Sequence, residues 1–205
     1  MTPAPAPQPL DLPDGAADFY PGFFGPAEAD RLLQMLLETT AWRQDGTTIY
    51  GRLVQLPRLT AWYGDEGTGY RYSGIDNVPL PWTPALLGVK RAVEPVCGVN
   101  FNSVLLNRYR TGQDSVGWHS DDEAAFGENP VIGSVSFGGT RAFQFRHKTR
   151  KAEKRSIDLT HGSLLVMRGA TQHTWLHQIP KTAKDVPERL NLTFRVIVTP
   201  APADA

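Results

Sequence analysis

Cysteine occurs once, at Cys97, which excludes an internal disulfide framework and any cysteine-rich zinc site. Long hydrophobic runs are missing as well. No stretch approaches the ~18 residues of a membrane helix, and residues 1–13 lack the charged and apolar regions of a secretory leader. Net charge is absent too: 21 basic side chains stand against 21 acidic ones, which argues against a protein that coats polyanions in bulk. Histidine is scarce, so a metal site would draw on His119, His147, His161, His173 or His177 together with carboxylates. What is present is 205 residues, 40% hydrophobic and 10% aromatic, enough to pack one domain and too apolar for wholesale disorder. A soluble cytoplasmic protein with no membrane partner is expected, nucleoid-associated if bacterial.

The neutral total conceals an uneven distribution. Asp11, Asp14, Asp18, Glu28 and Asp30 lie within residues 1–30, which contain no Lys or Arg, so residues 31–205 carry a formal +5. Between Arg141 and Arg155 seven basic residues face one acidic residue, Glu153. A local basic surface of this kind suits a phosphate backbone, and equally a solvated hairpin with charged flanks.

Residues 1–15 are rich in Pro and Ala and read as a flexible tail, as do 200–205. Helices are expected from Pro26, with Leu32, Leu33, Leu36 and Leu37 on its apolar face, and from Pro84 to about Val96. From Asn102 the period shortens. Segments 103–110, 131–137, 141–147, 156–159, 163–167, 174–179 and 190–198 are strand-like and mostly separated by turn formers. Gly138-Gly139 reads as the tight turn of a hairpin, because both residues tolerate positive φ. The fold class that follows is α+β: a double-stranded β-helix, or jelly roll, backed by N-terminal helices.

His119-Ser120-Asp121 is the one element that points directly to chemistry. Alone an H-x-D is weak evidence, but residues two apart on extended chain project to one face, where imidazole and carboxylate can share an ion. A later histidine, His173 or His177, would complete two imidazoles and one carboxylate. That facial set leaves positions open and suits non-haem Fe(II), with zinc also compatible by ligand type. Arg189 and Arg195 are an even number of residues apart on a strand-like segment, able to hold a dicarboxylate by forked hydrogen bonds. Asn107 and Tyr109, two apart on another, could add neutral hydrogen bonds.

Taken together, Asn107-Arg108-Tyr109, Trp118-His119-Ser120-Asp121-Asp122-Glu123, Ser134-Val135-Ser136-Phe137-Gly138, His161-Gly162-Ser163-Leu164-Leu165 and Arg189-Leu190-Asn191-Leu192-Thr193-Phe194-Arg195 resemble the AlkB family. These are iron- and 2-oxoglutarate-dependent dioxygenases that repair alkylated nucleic acids. The resemblance spans roughly residues 19–197, with the motifs in order. It implies Fe(II) on His119, Asp121 and His177, with His173 left as a structural or solvent-facing residue. It also implies 2-oxoglutarate on Asn107, Tyr109, Arg189 and Arg195, and O2 as the second co-substrate. The implied reaction is oxidative demethylation of N1-methyladenine and N3-methylcytosine in DNA, releasing formaldehyde, succinate and CO2. An oxygenase acting on RNA, protein or a small molecule is the alternative.

By the same resemblance, residues 16–100 hold the N-terminal helices and a nucleotide-recognition lid, 101–199 the jelly-roll core, all in one functional domain expected to be a monomer. Tyr70 and Tyr72 would line the base pocket, and Glu123 would approach the lesion's exocyclic edge. Ile49-Tyr50-Gly51 with Pro57-Arg58 resembles the aromatic finger of the double-strand-preferring branch, with Tyr50 as the wedge and Arg58 close by. Residues 59–64 and 118–123 look more like the single-strand-preferring branch. Lys181 and Lys184, beside Asp185, fall short of the basic cluster that the double-strand branch carries. The expected partner is therefore alkylated DNA, single- or double-stranded, with RNA as an alternative.

Overall fold

The computed structural model describes residues 5–49, 52–72 and 75–198; for 47–49, 52–53, 70–72 and 75–77 only the backbone is described. The elements run β1 (Gln8–Leu10), β2 (Ala16–Tyr20), α1 (Pro26–Thr39), β3 (Gly46–Ile49), β4 (Arg52–Gln55), β5 (Leu59–Gly64), β6 (Tyr70–Tyr72), β7 (Ile75–Asn77) and α2 (Pro84–Cys97). They continue as β8 (Ser103–Tyr109), β9 (Val116–His119), β10 (Ile132–Gly138), β11 (Arg141–His147), β12 (Lys154–Leu159), β13 (Ser163–Arg168), α3 (Thr171–Thr174), β14 (Trp175–Ile179) and β15 (Arg189–Arg195). No helix among the described residues is long and apolar enough to cross a membrane.

Two antiparallel sheets make the jelly roll. The major one has seven strands in the order β1-β2-β13-β10-β15-β8-β5, and the minor one four, β12-β11-β14-β9. Helices α1 and α2 cover the outer face of the major sheet. Each helix starts with proline in its first turn, where the missing N–H costs nothing. In α2, Leu86, Val89, Val93 and Cys97 recur at helical spacing and are buried, as are Ala29, Leu32 and Leu36 in α1.

Period-two alternation explains how one sheet serves two purposes. All seven residues of β15 are buried. Leu190, Leu192 and Phe194 belong to the core against the helices, whereas Arg189, Asn191, Thr193 and Arg195 line a cavity between the sheets. Strand β8 follows suit: Val104 and Leu106 meet the helices, while Asn107 and Tyr109 face the cavity. A second apolar cluster, including Phe143, Phe145, Met167 and Trp175, closes the space between the sheets. Hydrophobic packing thus flanks the polar face of the major sheet on both sides.

Two expectations change. Strands β10 and β11 do not pair with each other. β10 lies between β13 and β15, and β11 between β12 and β14. Gly138-Gly139 is therefore a corner that carries the chain from one sheet to the other, not a hairpin turn. The glycines are needed for closeness as well as for φ: Gly138 has φ +83°, and a Cβ there would collide with the Glu188 carbonyl. At Gly139 a Cβ would collide with the Pro187 carbonyl, and Gly139 N–H donates to Glu188 O at 2.8 Å. The second change concerns the segment read as a tail. Gln8–Leu10 forms an edge strand on β2, with Pro9 tolerated because it stands at the sheet margin. Leu12 beyond it is buried.

Candidate metal centre

His119 ends β9 and pairs in register with His177 of β14, so one cross-strand pair brings both imidazoles together, with ring centroids 4.3 Å apart. Asp121 lies two residues beyond, just past the strand. Donor atoms of His119, Asp121 and His177 all lie within 4.8 Å of one another. Strand alternation alone does not hold Asp121 there. Its backbone N–H donates to Gln172 Oε1 at 2.9 Å, and its Oδ2 accepts from Arg195 Nη2 at 2.8 Å and Nε at 3.2 Å.

Each donor is prepared to bind a cation. His119 Nδ1 lies 2.8 Å from the Gly117 carbonyl, which only accepts, so Nδ1 carries a proton and Nε2 is the ring nitrogen left to face a cation. His177 stacks on Phe143 at 5.2 Å, and burial, with His119 beside it, pushes its pKa down to about 3, so the ring is neutral. Burial works to raise the Asp121 carboxyl, but Arg195 and the two histidines outweigh it and hold it at about 2. His173, the other histidine considered, lies on α3 with Nε2 against the Glu128 carbonyl, away from the cluster.

The cavity leads from this cluster to Arg189. That guanidinium is 1% exposed, and burial lowers its pKa to about 10, leaving it a cation at neutral pH. Nη2 donates to Ser136 Oγ at 2.9 Å, whereas Nε and Nη1 are buried and meet no acceptor among the described residues. The Tyr109 ring lies 5.0 Å from it. Asn191 donates to Ser134 Oγ at 2.8 Å, so serines at alternate positions of β10 pin polar side chains of β15. The Ser134-Val135-Ser136 motif carries that signal in the sequence, where the serines have no assigned role and Gln172 has no mark at all.

Arg58, expected beside an exposed wedge, is instead 6% exposed, lines the cavity, and donates from Nε to Asn107 Oδ1 at 2.7 Å. Glu123 is half-buried at the start of a 3₁₀ turn, Ala124–Phe126, and burial raises its pKa. Tyr70 and Tyr72 belong to β6, but their side chains lie outside the described set, as Tyr50 does entirely. Arg141, counted from sequence among the basic surface residues, is buried at 3% exposure. It donates to the carbonyls of Thr111, Asp114 and Pro180 at 3.2, 3.0 and 2.6 Å.

The sheet pairing, the two-histidine, one-carboxylate cluster and the arginine-ended cavity define a class, and the comparisons agree. Residues 16–195 match the 2OG-Fe(II) oxygenase superfamily. A human protein named alpha-ketoglutarate-dependent dioxygenase alkB homolog 3 is 44% identical over 187 residues, 87% of this chain and 65% of the relative. Human DNA oxidative demethylase ALKBH2 is 39% identical over 189 residues, covering 87% of this chain and 72% of the relative. The solved structure of OsALKBH1 shares the fold, with a TM-score of 0.66 at 18% identity over 92% of this chain and 100% of that one. The chain belongs to the AlkB family of this superfamily.

The superfamily draws on Fe(II), 2-oxoglutarate and O2, and the site fits them. Two imidazoles and a carboxylate match the facial donor set of non-haem Fe(II). Buried Arg189 leaves Nε and Nη1 without an acceptor among the described residues, and a carboxylate is the partner that a guanidinium takes best.

Proposed function

We propose that the chain demethylates N1-methyladenine and N3-methylcytosine in alkylated DNA, consuming 2-oxoglutarate and O2 and releasing formaldehyde, succinate and CO2. We place the activity in the cytoplasm and in a monomer. The observation that carries this reading is the pairing of a His–Asp–His cluster with a buried guanidinium, two of whose nitrogens meet no acceptor among the described residues, across one cavity. His119, Asp121 and His177 would hold the iron, which when bound supplies the oxidation of the N-methyl carbon.

The remaining work falls to the chain. Arg189 binds the far carboxylate of 2-oxoglutarate, and Asn107 and Tyr109 orient it by hydrogen bonds. Arg195, also assigned to the co-substrate, grips Asp121 and keeps that ligand anionic. The apolar walls of Phe143 and Met167 keep bulk water from the reacting atoms. The flipped base would enter under Tyr70 and Tyr72, with Glu123 at its exocyclic edge and Tyr50 wedged in the stack. The name of one human relative, DNA oxidative demethylase ALKBH2, supports a DNA substrate.

The test is anaerobic loading with Fe(II) and 2-oxoglutarate, then admission of O2 with N1-methyladenine oligonucleotides, single- and double-stranded. Formaldehyde and unmodified adenine in stoichiometric yield are expected. Succinate formation without base repair would shift the substrate to RNA, protein or a small molecule. Equal rates on duplex and single strands would support the Tyr50 wedge, and repair confined to single strands would reject it.

A further inference from the structure

Arg58 takes no part in the chemistry above, yet it is a buried cation at the cavity wall. It precedes β5, and Ser115 N–H donates to the adjoining Pro57 carbonyl at 2.9 Å, so its backbone is pinned. Its Nε lies 2.7 Å from Asn107 Oδ1, and its Nη1 reaches the Ser115 carbonyl at 3.4 Å. Both acceptors are neutral, and among the described residues no carboxylate pairs with Arg58. Burying a guanidinium without a counter-charge is costly, so its retention calls for a ligand or a task.

A guanidinium only donates. Beside it, the Asn107 amide must present its oxygen to Arg58, and its NH2 must turn the other way. No acceptor among the described residues takes that NH2, and Asn107 lines the same cavity as Arg189. Taking 2-oxoglutarate as the ligand of this cavity, as proposed above, we infer that Arg58 is a positioning residue for the co-substrate. It locks the Asn107 amide with its N–H groups facing the 2-oxoglutarate carboxylate, and its charge favours a dianion nearby. Without it the amide can rotate and offer an oxygen to an anion, a repulsive contact.

The experiment measures 2-oxoglutarate binding to the Fe(II)-loaded chain under anaerobic conditions by calorimetry, with Co(II) affinity measured separately. Arg58→Met is expected to weaken 2-oxoglutarate binding about tenfold, ~1.4 kcal/mol, to raise its KM more than it lowers kcat, and to leave Co(II) affinity unchanged. Arg58→Lys, which keeps charge and a donor, recovers part of the loss and serves if the Met variant folds poorly. In an Asn107→Ala background Arg58→Met should add less than about twofold, because the two act as one unit. Full additivity, or an unchanged 2-oxoglutarate affinity with weaker binding of a methylated oligonucleotide, would overturn the inference and return Arg58 to the substrate. A wild-type chain that binds no 2-oxoglutarate would overturn the oxygenase reading itself, and this inference with it.

Discussion

His173 and His177 stand four positions apart, one on a short helix facing a carbonyl and the other on β14 opposite His119. His177→Ala should abolish tight Fe(II) or Co(II) binding and lower turnover at least about 10³-fold; His173→Ala should keep metal affinity within about twofold. A metal titration on both variants decides the matter. Asp114 offers a different residue-level test. Burial works to raise its carboxyl, but Arg110, donating from its backbone N–H at 2.9 Å and its guanidinium at 2.8 and 3.0 Å, holds it below the usual value of 3.8. A depressed carboxyl contributes stability that is whole above its unfolded pKa and fades as pH falls through the folded one. Asp114→Asn should therefore cost about 1–2 kcal/mol near neutrality and flatten the loss of thermal stability below about pH 4. Melting curves across that range would show it.

Among the elements, β15 and the Gly138-Gly139 corner matter most. The corner presses against the Pro187 and Glu188 carbonyls, one residue from Arg189, so a side chain there displaces the start of β15. Gly139→Ala is expected to destabilise the fold by about 2–3 kcal/mol and to weaken 2-oxoglutarate binding more than metal binding. Equal weakening of both, measured on folded protein, would show that the displacement spreads through the whole cavity.

This corner also marks what sequence can and cannot disclose. Short strand runs, helix-starting prolines and the alternation in Leu190 to Phe194 are local signals, and they translate directly into β15, α1 and α2. A Gly-Gly pair is local too, but whether the chain after it turns back or crosses to the other sheet depends on distant partners. The same limit hid Arg58 and Arg141: an arginine looks solvated until a remote amide or set of carbonyls is seen to bury it. His119 and Asp121 stand out as an H-x-D on extended chain and His177 is separated from His173 by the family resemblance, whereas Gln172 is one ordinary amide among several.

The whole molecule joins its acidic beginning to its basic hairpin. Asp11 meets Arg155 and Asp14 meets Arg150, each at 2.7 Å, across the β11–β12 pair. Lys148 is paired with Asp122 at 2.6 Å, and Arg146 lies 4.5 Å over Trp118, next to His119 of the candidate metal centre. Surface pairs of this kind add little to stability, yet they lower the positive field that a phosphate backbone would meet. If the substrate is a nucleic acid, the Asp11→Asn/Asp14→Asn double variant should bind a single-stranded oligonucleotide about two- to fivefold more tightly at low salt, with a steeper salt dependence. Fluorescence anisotropy at several ionic strengths would read this out; no change at any salt would place the hairpin outside the binding face.

The major sheet has one more consequence, for the order of events in biogenesis. β15 is the last of the described strands but lies within the sheet, between β10 and β8. While the chain is being translated, those two strands must wait with exposed edges, a condition that slows folding and invites chaperone binding. His177, Arg189 and Arg195 also emerge late. On the proposed assignment, a nascent chain halted before them would hold two of the three iron ligands and neither arginine of the co-substrate site, so oxidative chemistry would not begin on an unfinished protein.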